Sequence, residues 1–293
     1  MNLFFHLGAL GDFVLTMPML RRLNGPTTVI SDWPRAALAS KLIPGVKPMD
    51  IQLWEFMRLH ARGGPTSVSP AVGELFTDAK NIVSFVSTGK DDWAANIERL
   101  APQAKRIYID PRPPENFGRH LGDWLTQQAQ EQGLKLTSPV QPAFVGDKKG
   151  PIAVHPGSGG EQKCWPAERF ESLIEKLKDR DQPVRPLLGE AEADRWPEEV
   201  IQRWQKKHGA EIFGSLDQLH AALAAASAYI GNDSGPTHLA AQMGLPTVAL
   251  FGPTHPALWA PVGPSVTVLA PAAPAAMDWL GVDAVLDACP QPG

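Results

Sequence analysis

Short apolar runs alternate with amphipathic stretches along the chain, in the rhythm of strands followed by helices. Residues 3–7 (LFFHL) read as a buried strand, followed by the loop Gly8-Ala9-Leu10-Gly11-Asp12 and an amphipathic stretch to Leu23. Pro18 leaves the start of that helix open, because proline sits comfortably only in a first helical turn. Further strands are expected at residues 27–31, 81–86 and 105–109, with helical patterns between them. The Pro-containing stretch 137–150, ending in Asp-Lys-Lys-Gly, reads as a linker. Beyond it the order restarts: a strand at 151–155, a glycine loop at 156–160, a helix at Ala167–Lys178 and a strand at Val184–Leu188. Then come helices at 194–207 and 215–225, the second opened by Ser215 as N-cap, and a strand at 228–231. A turn at 232–235 leads into a helix at 236–243 stopped by Gly244. A strand at 247–251, a Pro-rich loop and a helical stretch at 275–287 complete the pattern. Such alternation predicts parallel sheets covered on both faces.

At about 150 residues per domain, 293 residues suggest two domains. Both halves open on strand, glycine loop and helix, so the expected fold is α/β, with two Rossmann-like domains facing a cleft. The expected boundaries are 1–145 and 146–293, with the last helix packing back on the first domain. The composition, 43% hydrophobic and 20% charged, is that of a soluble globular protein. A net charge of -4 argues against a protein that coats nucleic acid. No apolar run approaches the roughly 20 residues of a bilayer span. The opening MNLFFHLGALGD lacks the basic start of a secretory signal. Two cysteines, Cys164 and Cys289, exclude a disulfide scaffold and a cysteine-built zinc site. The 29 prolines and 26 glycines form no low-complexity block; they punctuate an ordered fold.

Three segments carry candidate chemistry. In Gly231-Asn232-Asp233-Ser234-Gly235-Pro236-Thr237-His238, a polar turn runs from a strand into a helix. Helix N-termini present unpaired N–H groups that suit a phosphate, and Ser234 and Thr237 add hydroxyls. The alternative is that Asp233 or Ser234 merely caps the helix while His238 packs against the loop. In His155-Pro156-Gly157-Ser158-Gly159-Gly160-Glu161-Gln162-Lys163, glycines permit close backbone approach to a ligand and Lys163 offers a point charge for phosphate oxygens, or is simply solvated. Asp12 follows the opening strand at the edge where α/β sheets bind ligands, either as a general base or as a helix cap. Neither a Walker A loop nor G-x-G-x-x-G is present. Lys90-Asp91-Asp92 reads as a helix cap rather than a metal-binding pair, and Cys164 as a partly buried spectator.

Together these segments resemble glycosyltransferase family 9, the ADP-heptose:lipopolysaccharide heptosyltransferases of GT-B fold. The likeness is carried by Leu10-Gly11-Asp12, by Pro156-Gly157-Ser158 with Lys163 and Trp165-Pro166, and by Asp233-Ser234-Gly235-Pro236-Thr237-His238-Leu239-Ala240-Ala241. Gly244-Leu245-Pro246-Thr247 and its continuation to Thr254 extend it. The resemblance implies Asp12 as catalytic base on the acceptor hydroxyl, with Lys163 stabilising the departing diphosphate. Ser158, Gly159, Lys163, Asp233, Ser234, Gly235, Thr237 and His238 would hold the donor. Glu190 or Glu192 would bind the ribose, and Leu216 would line the base pocket. Gly11, Arg58, Arg62, Arg112, Arg119 and His120 are the candidates for contact with the acceptor.

The implied reaction is inverting and metal-independent. It moves heptose from ADP-heptose, a co-substrate rather than a cofactor, to a lipid-linked or core oligosaccharide acceptor. No metal, cofactor or nucleic acid is expected, and membrane contact is at most peripheral. The implied location is the cytoplasm, up to the inner face of the cytoplasmic membrane. The alternatives are a GT-B-like sugar-nucleotide epimerase and a non-catalytic nucleotide-sugar or glycan-binding protein.

Overall fold

A computed structural model describes residues 1–115 and 117–290. The chain divides into two units, Met1–Val140 and Gln141–Gly293. The first unit is built on five parallel strands: β1 (Asn2–Phe5), β2 (Thr27–Ser31), β3 (Val46–Asp50), β4 (Asn81–Ser84) and β5 (Lys105–Tyr108). Their spatial order is β3-β2-β1-β4-β5. Phe5 anchors the core on one face, meeting Phe56 and Trp93 edge-on at 5.7 and 5.1 Å between ring centroids. The helix after β1 spans Leu10–Leu20 and contains Pro18. Proline is tolerated there because it lies in the last turn, where it removes one bond and the helix ends two residues on.

β3 was not foreseen. Its sequence Val46-Lys47-Pro48-Met49-Asp50 carries a proline and a lysine, and it forms because β3 is an edge strand whose outer side needs no amide partner.

The second unit has six parallel strands: β6 (Ile152–His155), β7 (Val184–Leu188), β8 (Glu211–Ile212), β9 (Ala228–Asn232), β10 (Thr247–Leu250) and β11 (Val266–Leu269). Their order is β11-β10-β9-β6-β7-β8. The helix expected at 194–207 is two helices, Glu190–Arg195 and Glu198–His208, because Trp196-Pro197 interrupts the run. β8 and β11 were likewise unforeseen; β8 has two residues, both exposed, too few for any pattern. The last described helix, Val282–Ala288, packs on Ala167–Lys178, burying Val285 and Leu286 in a core with Trp165, Phe170, Ile174 and Trp204. The caps at Asp91 and Ser215 form as expected, accepting from Ala94 N at 3.0 Å and Gln218 N at 3.2 Å. No helix among the described residues is long and apolar enough to cross a membrane.

Candidate functional site

In the second unit β6 lies between β7 and β9, so the chain leaves β6 in one direction and later returns on the other side. Loops leaving the carboxyl ends of two such strands diverge and open a ligand crevice. One loop follows His155 through the glycines to the short 3-10 turn Glu161–Lys163; the other follows Asn232 into the helix Gly235–Gln242.

Asn232 stitches the two together. Its amide donates to Pro156 O at 2.6 Å, and its Oδ1 accepts from Trp165 N at 3.0 Å. The Ser158 hydroxyl donates to Asp233 O at 2.8 Å. Asp233 Oδ2 accepts from Lys163 Nζ at 2.9 Å and from Thr254 Oγ1 at 2.8 Å. His238 Nε2 faces Asp233 Oδ1 at 3.6 Å, an electrostatic approach beyond hydrogen-bond length. Burial works to raise the Asp233 pKa, but His238, the Lys163 bond and charge, and Thr254 outweigh it. The carboxyl is therefore held below its ordinary value and stays ionised. The result is a buried anion that fixes an ammonium group at the start of a helix.

The donor candidates divide by placement. Ser234 is the N-cap residue, but its hydroxyl meets Thr237 Oγ1 at 3.0 Å and makes no side-chain cap bond. Thr237 is fully buried and also bonds Asn232 O and Tyr229 Oη, so its hydroxyl serves the turn rather than an open side. Gly235 is half-buried and Gly159 exposed. Leu216 is half-buried at the first position of the helix Leu216–Ala224.

Glu190 and Glu192 open the same helix and differ sharply. Glu190 is exposed, whereas Glu192 is buried and accepts from Gly189 N at 2.8 Å. Its Oε1 lies 3.6 Å from His155 Nε2. Burial depresses the His155 pKa against the opposing pull of Glu192. Gly157 is required at its place, since a Cβ there would stand 2.3 Å from Glu192 Oε1. Glu192 Oε1, His155 Nδ1 and His238 Nδ1 are buried without a hydrogen-bond partner among the described residues. Buried polar atoms are rarely left so, and sites that take ligands are a recurrent exception. A pocket of about 240 Å³ adjoins the glycine loop, lined by Gly157, Cys164, Trp165, Glu192, Arg195 and Trp196 among others. Burial pushes the Cys164 thiol up despite Arg195 nearby, which makes it unreactive.

In the first unit Asp12 is exposed in the first turn of Leu10–Leu20, beyond the end of β1. It does not cap: the N-cap is Ala9, and no hydrogen bond or ion pair engages Asp12 among the described residues. Gly11 beside it is half-buried. The loop is braced by His6, whose Nδ1 accepts from Gly8 N at 3.0 Å. Burial, assisted by the Arg35 charge, lowers the His6 pKa to about 3, so the ring is neutral. Of the acceptor candidates, Arg58 and Arg62 follow β3 while Arg112, Arg119 and His120 follow β5, the opposite edge of the sheet. Arg112 faces Asp110 at 3.5 Å, Arg119 donates to Gln127 at 2.6 Å, and His120 accepts from Gly122 N at 3.0 Å.

Three residues at the second-unit site were not singled out from sequence: Asn232, Thr254 and Arg195. Arg195 donates to Ser158 O at 2.8 Å and Gly159 O at 2.7 Å, clamping the glycine loop from a separate helix. Thr254 could have been found by noting that it follows β10, the neighbour of β9.

The sequence model of glycosyltransferase family 9 (heptosyltransferase) matches residues 109–278, more than half of the chain. The chain belongs to this family. Within it, lipooligosaccharide heptosyltransferase 2 of Haemophilus influenzae is 29% identical over 195 residues, covering 64% of this chain and 55% of that protein. Lipopolysaccharide heptosyltransferase 2 of Escherichia coli is 32% identical over 117 residues, 38% of this chain and 33% of that protein. The alignments to these relatives thus span a third to just over half of their length. Among solved structures, E. coli heptosyltransferase WaaC with ADP superposes with a TM-score of 0.68 at 20% identity, over 98% of both chains. E. coli ADP-heptose lps heptosyltransferase II gives 0.68 at 18%, over 98% of this chain and 97% of that one. The fold is the GT-B fold of those enzymes, two parallel-sheet α/β units.

Proposed function

We propose that the protein is a glycosyltransferase that moves heptose from ADP-heptose to a hydroxyl of a lipopolysaccharide core or related lipid-linked glycan, with inversion and without a metal ion. Family membership and the names of the relatives support the sugar and the acceptor class, and the ADP-heptose in the name of the E. coli heptosyltransferase II structure supports the donor. The observation that carries the donor site is the Lys163 ammonium fixed by Asp233 at the start of Gly235–Gln242, with His238 Nδ1 buried and unsatisfied beside it.

In this reading Lys163, His238 and the N–H groups of the helix start take the diphosphate oxygens. They stabilise the charge that grows as the nucleoside diphosphate departs, the task a divalent cation performs in other transferases. Glu192 is the better placed of the two acids for ribose hydroxyls, since its unsatisfied Oε1 borders the pocket. At about 240 Å³ that pocket is smaller than the roughly 300–1,000 Å³ of whole-ligand sites, which suits one moiety of the donor. Asp12, unpartnered and exposed, removes the proton of the acceptor hydroxyl as its oxygen attacks the anomeric carbon opposite the leaving diphosphate.

The test is calorimetric titration of ADP, UDP and GDP in EDTA. ADP binds in preference, and Lys163→Ala weakens it about 10- to 100-fold, the worth of one or two charge-assisted bonds. Asp12→Asn keeps ADP affinity and loses about 10²- to 10⁴-fold in transfer rate, as removal of a general base does. Absence of nucleotide binding overturns the reading; full transfer by Asp12→Asn overturns the base assignment.

A further inference from the structure

Strand β6 ends on His155, whose buried ring tilts against Phe213 at 5.7 Å between centroids. Parallel pairing of His155 with Gly231 of β9 fixes the backbone from which the ring projects. Its Nε2 faces Glu192 Oε1 at 3.6 Å, and its Nδ1 is buried with no partner among the described residues. The proposed transfer uses neither ring nitrogen.

The Glu192 carboxylate is held at one oxygen and open at the other. Oε2 accepts from Gly189 N at 2.8 Å, while Oε1 is buried without a hydrogen bond where the side chain borders the pocket, beside the bare backbone of Gly157. Arg195, one turn further along the same helix, binds Ser158 O and Gly159 O instead. The polar side-chain group that faces Oε1 is His155 Nε2.

Burial keeps the ring neutral against the pull of Glu192, so it carries a single proton. A bare Nε2 would set its lone pair against those of the carboxylate. The proton therefore sits on Nε2, and Nδ1 is left as an acceptor.

On the ADP-heptose reading above, on which this rests, we propose that His155 is a positioning residue for the donor: its Nε2–H orients the Glu192 carboxylate so that Oε1 presents a lone pair to a ribose hydroxyl. A carboxylate oxygen has lone pairs enough for the imidazole and the hydroxyl together. At 3.6 Å the contact is longer than a hydrogen bond, as is common in unliganded sites, and it tightens once the ligand fixes the carboxylate. A ring that only steadied the strand end would affect every nucleotide alike. A positioning ring affects ligands that carry ribose hydroxyls.

The experiment is calorimetric titration of ADP and 2′,3′-dideoxy-ADP into the wild type, His155→Phe, His155→Gln and Glu192→Gln, with urea midpoints showing that each variant is folded. His155→Leu replaces His155→Phe if the larger ring does not fit. The wild type prefers ADP by about tenfold or more, the worth of a hydrogen bond to a charged group. His155→Phe lowers that preference to about threefold or less, with affinity for dideoxy-ADP within about twofold of wild type. His155→Gln, whose amide N–H reaches as far as Nε2, recovers most of the preference. In Glu192→Gln the preference is already low, and adding His155→Phe changes it by less than about twofold, since both residues act through one contact. Long-range proton–nitrogen NMR spectra of the wild type place the ring proton on Nε2. A proton on Nδ1, a preference retained in His155→Phe, or equal weakening of both nucleotides overturns the positioning role while ADP binding stands. Absence of ADP binding by the wild type overturns the donor reading instead, and equal binding of both nucleotides by the wild type overturns the ribose contact of Glu192; either result removes this proposal with it.

Discussion

The Asp233 carboxylate accepts from Lys163 and Thr254 and faces His238, so the positive groups of the second unit are positioned by one buried anion. Arg195 plays a different part: it holds the carbonyls of Ser158 and Gly159, which orients the glycine loop. Arg195→Ala should weaken ADP binding about fivefold, roughly 1 kcal/mol for exposed charge-assisted bonds, while kcat changes less than KM. Calorimetry on Arg195→Ala and Arg195→Lys checks this. Partial recovery by lysine marks a positioning role, and wild-type affinity in the alanine variant removes it. Lys163 and Ser158 were legible in the sequence because they share one loop with its glycines. Arg195 was not, since it lies on a helix after β7 and meets the loop only in three dimensions. The choice between Glu190 and Glu192 was equally closed to sequence, because two residues on one helical turn differ only in which side faces the core.

At the scale of elements, the C-terminal helix Val282–Ala288 is held by burial of Val285 and Leu286 and by the Trp165 indole, which donates to Leu280 O at 2.9 Å. That links the loop before Ala167–Lys178 to the segment before the last helix, so loosening the helix reaches the glycine loop through Trp165. Leu286→Ala should cost about 2–5 kcal/mol, seen as a lower urea midpoint, because a buried leucine leaves a cavity. Lys176→Ala, which breaks the exposed pair with Asp283, should leave the midpoint unchanged. The helices Ala167–Lys178 and Leu216–Ala224 were readable from amphipathic spacing and caps. β3 and the break at Trp196-Pro197 were not, since an edge position excuses a proline in a strand and only packing decides where a helical run divides.

For the whole molecule, the buried histidines set the response to acid. His6 and His155 are depressed below their ordinary 6.5, His6 to about 3. Above pH 6.5 folded and unfolded chains both carry them neutral, and stability is flat with respect to them. Below it the unfolded chain takes up protons that the folded chain refuses, so stability falls as pH falls, approaching about 1.4 kcal/mol per pH unit for each ring. For His6 this continues to about pH 3, and the depressed Asp233 adds its own loss below the ordinary carboxylate range. Urea midpoints between pH 8 and 5 should be level above 7 and decline below 6.5, with a shallower decline in His6→Gln. A midpoint constant down to pH 5 would contradict the burial of both rings. What the sequence alone determined was the alternation of strand and helix, the restart after residue 150 and the motifs around Asp12, Lys163 and Asp233, because periodicity, caps and glycine loops are local properties of the chain. Only the tertiary structure decided which strands neighbour one another. That choice joins Asn232 to Pro156 and Asp233 to Lys163 and Thr254, because parallel pairing brings together residues the chain keeps far apart.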